Sequence, residues 1–285
     1  MGAKSHTFTF LGTGASSGVP SYYCGCDACV EALTNPLAAR GCACALVSGT
    51  ENTLIDASPD LRTQLMRAGA KDVARVLVTH EHFDHIGGIP QLEFYVKLRR
   101  LGSLPAQASP RVSAIDTQAA AGPLPVYANS RVCEAIEQQF SFMMDTLELH
   151  PIEVGESLTF DGVRYTPLPA VHNPGAFGFL LKTATTRLAY FPDTSALDPA
   201  VIEQLGKLDY LVLDATYNVR NWIPHAHLSI DEAIVLAQRI DARETYLTHL
   251  SMHYDEPITT AQLEDKLASY SGRIQAAYDG LTLAL

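Results

Sequence analysis

The chain has 285 residues, 47% of them hydrophobic and 18% charged, with a formal net charge of −11. That is enough apolar residue for a sizeable core and too much for a disordered chain, and the acidic balance argues against a polyanion such as nucleic acid as the main partner. No stretch approaches the roughly 18 continuous apolar residues of a membrane span, and the opening MGAKSHTFTFLGTG lacks the apolar run of a secretory signal. A cytoplasmic protein is expected, in which the six cysteines are thiols or metal ligands rather than a disulfide scaffold.

In chain order, TFTFLGTG (7–14) alternates and then meets glycines, which predicts a strand into a tight turn. CACALVSGTENTLIDAS (42–58) reads as a hairpin of two strands around 49–52. PDLRTQLMRAG (59–69) has Pro at a helix start and Gly at its end. VARVLVTH (73–80) is a strand and IPQLEFYVKLRRLG (89–102) a helix. Residues 101–125 are rich in Ala, Pro, Gly and Ser and read as a long loop or lid; they form most of an insertion at about 97–123 in one domain spanning 1–285. PVYA and SRVCEAIEQQF follow as strand and helix, then strands near 147–153, 158–169, 176–183 and 187–192. LDPAVIEQLG is a helix, LDYLVLDAT a strand, SIDEAIVLAQRI a helix and RETYLTH a strand. The last 27 residues read as a helix and then strands. No repeat or linker divides the chain, and the shared rhythm of its halves suits two sheets packed face to face with helices outside.

The strongest chemical signal is VLVTHEHFDHIGG (76–88). His80 and His82 share a face of an extended segment because alternate residues do, and Asp84 and His85 begin the following turn. Imidazole with carboxylate suits zinc, manganese or iron. Gly87 and Gly88 are expected to let the backbone turn sharply. A lone histidine after a strand is more often a core or surface residue. Here, however, His172 in LPAVHNP, Asp193 in LAYFPDTSA and His249 in ETYLTHLS all stand at strand ends after the histidine-rich loop. Asp193 suits a bridging role, having two oxygens.

These motifs resemble the metallo-β-lactamase superfamily, whose pattern of a strand-end Asp, HxHxDH, His, Asp and His is met by Asp56, His80–His85, His172, Asp193 and His249. The resemblance implies an α/β fold, an αββα sandwich of two mixed sheets with two divalent metals, Mn or Zn, at one edge. It implies one site of His80, His82 and His172, a second of Asp84, His85 and His249, and Asp193 between them. Asp56 would orient the ligand loop; an ordinary turn-forming Asp is the other reading. Two such metals about 3.5–4 Å apart can share a hydroxide and clamp the attacking and leaving oxygens.

Two features narrow the substrate. In PHAHLSIDEA, His225 or His227 stands where phosphodiesterases of this superfamily place a histidine against the phosphate, suited to general acid work near neutral pH. His227, leading into the helix, is the candidate. The other feature is YYCGCDACVEA (22–32). A disulfide among Cys24, Cys26 and Cys29 leaves an odd thiol, the Cys26–Cys29 spacing lacks the context of a redox pair, and a metal hydroxide makes a cysteine nucleophile unnecessary. A closed zinc site wants four thiolate or imidazole ligands, and His253 in THLSMHYD offers the fourth. Cys42, Cys44 and Cys133 are expected to be buried small hydrophobes.

The CxCxxC and the histidine just past the last ligand resemble the PhnP-like phosphodiesterase branch. That likeness implies a structural zinc, hydrolysis of a small phosphorylated substrate such as phosphoribosyl 1,2-cyclic phosphate, and a homodimer, with neither nucleic acid nor membrane as partner. Two alternatives share the pattern. A tRNA 3′-processing nuclease needs a basic arm, for which Arg99, Arg100 and Arg111 are thin. A metal-binding accessory protein like that of pyrroloquinoline quinone biosynthesis is the other.

Overall fold

The computed structural model describes residues 6–100, 122–254, 256–270 and 272–285. Its first sheet contains β1 (Thr7–Gly12), β2 (Cys44–Ser48), β3 (Asn52–Ile55), β4 (Arg75–Leu77), β5 (Leu124–Ala128) and β6 (Leu147–Pro151). The second contains β7 (Leu158–Phe160), β8 (Val163–Pro169), β9 (Phe177–Lys182), β10 (Arg187–Phe191), β11 (Tyr210–Asp214), β12 (Glu244–Thr248) and β13 (Ile274–Ala276). A last strand, β14 (Thr282–Ala284), returns to pair with β1 and completes two seven-stranded sheets. Each sheet is antiparallel at one end and parallel across its other strands: β3 to β6 in the first, β10 to β13 in the second.

The helices are α1 (Asp27–Thr34), α2 (Leu61–Ala68), α3 (Phe83–Ile86), α4 (Glu93–Arg100), α5 (Ser130–Gln139), α6 (Pro199–Leu205), α7 (Ile230–Ile240) and α8 (Thr260–Leu267). Strand residues alternate between two cores, as the period of two requires. Ile55, Leu77 and Val212 face the other sheet, where they meet Phe8, Phe10, Phe179 and Tyr190. Their neighbours Leu54, Val76 and Val126 pack outward on Leu61, Val96 and Ile136 from α2, α4 and α5. In the second sheet Leu211, Leu213 and Leu247 pack outward on Cys29, Val201, Ile234 and Leu263 from α1, α6, α7 and α8. The layers are therefore helix, sheet, sheet, helix: the αββα sandwich. Because both faces of each sheet are covered, the central strands read as continuous apolar runs.

Two local expectations change. Residues 27–34 form a helix, α1, that the sequence reading did not predict. The helix expected over 89–102 opens as a 3₁₀ turn, Ile89–Leu92, before α4. Of the expected insertion, residues 101–121 lie outside the described residues, and so does Arg111, while 97–100 belong to α4. Arg99 is buried against Tyr95, so it offers no basic arm. Among the described residues no helix is long and apolar enough to cross a membrane.

Candidate metal centre

The parallel strands of both sheets end at the same edge, the place where open α/β sheets bind ligands. Asp56 follows β3, His80 follows β4, His172 follows β8, Asp193 follows β10 and His249 follows β12. His82 precedes α3, whose single turn carries Asp84 and His85. Asp56 and His249 both have left-handed backbone, with φ of 64° and 58°, a conformation unfavourable for a side-chain-bearing residue and concentrated at functional sites.

Gly87 and Gly88 do not provide a sharp left-handed turn: at Gly88 φ is −88° and at Gly87 it is −62°. They are needed for space. A Cβ on Gly88 would sit 2.0 Å from the Ser58 carbonyl oxygen, because Gly88 N–H donates to the Ala57 carbonyl at 2.7 Å. That contact presses the histidine loop onto the loop that carries Asp56.

The predicted residues converge. Groups of ligand atoms lying within 4.8 Å of one another are formed by His80, His82 and His172; by Asp84, His85 and His249; and by His80, His85 and Asp193. His82 Nδ1 faces His172 Nε2 at 3.1 Å. Asp193 reaches both sides: Oδ2 is 3.1 Å from His85 Nε2, and Oδ1 is 3.2 Å from His249 Nε2. Among the described residues the buried atoms His80 Nε2, His85 Nε2 and Asp193 Oδ2 make no hydrogen bond of good geometry, although His85 Nε2 and Asp193 Oδ2 lie 3.1 Å apart. Leaving such atoms unpaired is costly, and their convergence is what a cation-binding donor set requires.

The far side of each ring is anchored. Thr79 Oγ1 donates to the Asp56 carboxylate at 2.9 Å, and His80 Nδ1 lies 3.0 Å from that oxygen. With the threonine hydrogen committed to Asp56, His80 Nδ1–H donates, leaving the Nε2 lone pair free. In the second sheet Thr216 Oγ1 donates to Asp214 at 3.0 Å and lies 2.8 Å from His249 Nδ1. His85 Nδ1 bonds Asp56 at 2.9 Å, as His227 Nδ1 bonds Asp214 at 2.7 Å. One carboxylate–threonine–histidine relay thus stands at each sheet edge. His172 Nδ1–H donates to the Ala226 carbonyl at 2.9 Å. The turn-forming reading of Asp56 yields to this orienting one.

The electrostatics follow. Burial pushes the His80 imidazole well below its usual range, and His85 adds to the effect. Burial works against a proton on His85 too, but the carboxylates of Asp193, Asp84 and Asp56 hold its pKa well above normal. Burial opposes ionisation of Asp84 and Asp193, yet His85 and His249 keep both well below the usual carboxylate range. His227 also resists burial, and Asp214 raises it to about 9. Its ring stacks on His249 at 5.2 Å. His225 is exposed, so of the pair only His227 joins the site, and it groups with Asp193, Asp214 and His249.

Asp214 and Thr216 were missed by the sequence reading. Their signal was present: LVLDAT ends an apolar strand as TLIDAS does at Asp56.

At the N-terminal loop the sulfurs of Cys24, Cys26 and Cys29 lie within 4.8 Å of one another, and Cys29 Sγ is 3.2 Å from His253 Nδ1. Ser17 Oγ lies 2.9 Å from the other ring nitrogen of His253. Cys26 caps α1, so the CxxC does sit at a helix start, although with a third thiol and a histidine in place of a redox pair. Burial pushes Cys29 up to about 12, which disfavours a free thiolate there. Cys42, Cys44 and Cys133 are buried as expected.

An edge of a two-sheet sandwich lined by clustered histidines and aspartates defines a metal-dependent hydrolase fold, and the chain belongs to the metallo-β-lactamase superfamily. It matches the family model for the beta-lactamase superfamily domain over residues 51–250. A solved diphosphatase from the PhnP family superimposes with a TM-score of 0.80 at 28% identity, covering 99% of this chain and 97% of that one; the likeness is to the PhnP-like branch. The chain is 28% identical over 279 residues to the octanoyltransferase of Porphyromonas gingivalis, 95% of this chain but 50% of that protein, so it spans half the length of that relative. It is 27% identical over 280 residues to the ribonuclease Z of Thermobifida fusca, covering 81% of this chain and 85% of that enzyme. The fold implies divalent metals.

Proposed function

We propose that the protein is a phosphodiesterase acting on a small phosphorylated substrate, with cyclic sugar phosphates such as phosphoribosyl 1,2-cyclic phosphate the first to try. His80, His82 and His172 would hold one divalent cation, Asp84, His85 and His249 a second, and Asp193 would stand between them, Mn or Zn in each. Bound there, the pair would supply Lewis acidity and an activated water.

The observation that carries the reading is His227. Asp214 fixes its Nδ1 at 2.7 Å and keeps the ring protonated, while the ring stacks on His249. With Nδ1 engaged by Asp214, the Nε2 proton is the one left to donate. A leaving alkoxide needs such a donor. The diphosphatase likeness supports phosphoryl chemistry. Thr79, Thr216 and the Ala226 carbonyl hold the ligand rings, and Asp84 positions His85 and His249 beside the reacting atoms.

Cys24, Cys26, Cys29 and His253 would hold a structural zinc, tying the N-terminal loop to the segment after His249. The donors fit, being three sulfurs and a ring nitrogen whose partner nitrogen is anchored by Ser17. One domain and a homodimer complete the proposal.

The test is turnover of phosphoribosyl 1,2-cyclic phosphate and 2′,3′-cyclic nucleotides by pure protein loaded with manganese or zinc. Failure on all of them overturns the reading. The ribonuclease Z likeness favours a nuclease as the second reading, against which stand the net charge of −11 and the buried Arg99. Salt-sensitive binding of tRNA at low micromolar protein would reinstate it. An accessory role would win if His80→Ala preserved cellular function while the cysteine cluster was required.

A further inference from the structure

A line of aromatic side chains runs from the candidate site and is unused by the chemistry above. Tyr217 meets His227 edge-on, with ring centroids 6.1 Å apart. It lies 6.2 Å from Trp222 and 6.3 Å from Tyr254. Trp222 and Tyr254 stack on each other at 5.6 Å with 27° between their planes. Trp222 is nevertheless 52% exposed: it packs on Tyr254 and remains open to solvent.

The segment carrying Trp222 is pinned. Asn221 Nδ2 donates to the His227 carbonyl at 2.7 Å and to Glu232 at 2.9 Å. The amides of Ala226 and His227 both donate to the Ile223 carbonyl. Asn218 Nδ2 donates to the Glu256 carbonyl at 3.0 Å. Beside His82 and His172, Phe83 and Val171 are also exposed. Single exposed aromatics are ordinary. A stacked pair joining a pinned loop to the segment after His249, with Asn218 and Glu256 tying the two, stands two ring contacts from the candidate general acid and is a preorganised surface of the kind that loses little entropy on binding.

We propose that Trp222 and Tyr254 form a platform for a planar ring carried by the substrate, so that among the small phosphate esters proposed above a nucleoside phosphate is favoured over a bare sugar phosphate. This rests on the reading of His227 as the residue beside the phosphate. Every nucleobase has a π face, and stacking on an aromatic side chain is worth about 5- to 150-fold per base. The base comes from a free nucleotide or from the end of an RNA strand.

Trp222 is the chain's one tryptophan, so its fluorescence reports the platform without turnover. The holoprotein is titrated with AMP, with ribose 5-phosphate and with a short unstructured RNA. Saturable quenching by AMP and none by ribose 5-phosphate is expected. Tighter quenching by the RNA than by AMP also supports the platform and assigns its source to a strand end. Trp222→Leu is expected to lower kcat/KM at least fivefold more for 2′,3′-cyclic AMP than for phosphoribosyl 1,2-cyclic phosphate, with Trp222→Tyr restoring most of the loss. Equal quenching by AMP and ribose 5-phosphate, or none by AMP or RNA, overturns the platform. Fluorescence that follows protein concentration and not nucleotide overturns it too, by making the pair a contact between copies. AMP quenching in a protein that cleaves no phosphodiester leaves the platform standing and removes the phosphodiesterase reading.

Discussion

At the scale of single residues, the proposed chemistry turns on His227 and the carboxylate behind it. His227→Ala should reduce kcat by about 10²–10⁴-fold on substrates with alkoxide leaving groups, the range for loss of a general acid. The reduction should be much smaller on bis(p-nitrophenyl) phosphate, whose leaving group needs no proton. Equal losses on both would assign His227 a structural role. Asp214 raises the His227 pKa to about 9, so the donating form persists through neutral pH and is lost as pH rises through that value. Asp214→Asn removes the charge that stabilises the proton, and the alkaline fall in kcat should therefore move to lower pH. An unmoved pH profile with unchanged metal content would show that Asp214 does not act through His227. Asp56 was legible because the histidine motif follows it in sequence. Asp214 stands in the same strand-end pattern, with Thr216 two residues on, but its histidine partner His227 is brought to it only by the fold.

At the scale of elements, legibility tracks the strength of local signals. The second-sheet helix α7 could be read from Ser229 and Glu232, which form a reciprocal capping box in the structure. The α1 helix could not: its cap is Cys26, which makes no side-chain cap bond. Its buried face is only Ala28, Cys29 and Ala32, too short to show a helical period. An element so weakly specified depends on tertiary ties. Cys26→Ser should therefore remove about one zinc per chain and lower the melting temperature, with activity falling as a consequence. Lost turnover with unchanged zinc content and melting temperature would contradict the clasp. Gly88→Ala tests the contact between the two ligand-bearing loops. Its Cβ would meet a backbone oxygen that cannot step aside, so a loss of about 1–3 kcal/mol is expected, measured by denaturant unfolding and accompanied by weaker metal binding. A neutral effect would mean that the loops are free to separate.

At the scale of the molecule, the donor set spans both sheets. His80, His82, Asp84 and His85 hang from the first sheet, and His172, Asp193 and His249 from the second. The layer order could be read from the alternation of apolar residues and the order of the motifs, whereas the pairing of the two edges had to come from the fold. The edge where the sheets meet gathers buried ring nitrogens and a carboxylate oxygen that make no well-aligned hydrogen bond among the described residues, and two positions there keep unfavourable left-handed backbone. Because its donors come from both sheets, a cation bound at this edge would act as a bond between the layers. Binding to the folded state alone at a hundred times Kd adds about 2.7 kcal/mol per site, and one kcal/mol moves the melting point of a chain of about this size by roughly 2–4 °C. Protein stripped with a strong chelator should thus melt about 5–10 °C lower per vacated site than protein reconstituted with manganese or zinc. Calorimetry of His80→Ala, which lacks one donor of the catalytic cluster but keeps the cysteine cluster, should recover only part of that gain on reconstitution. Equal melting points for stripped and reconstituted wild-type protein would mean that the two sheets hold together without a cation at their edge.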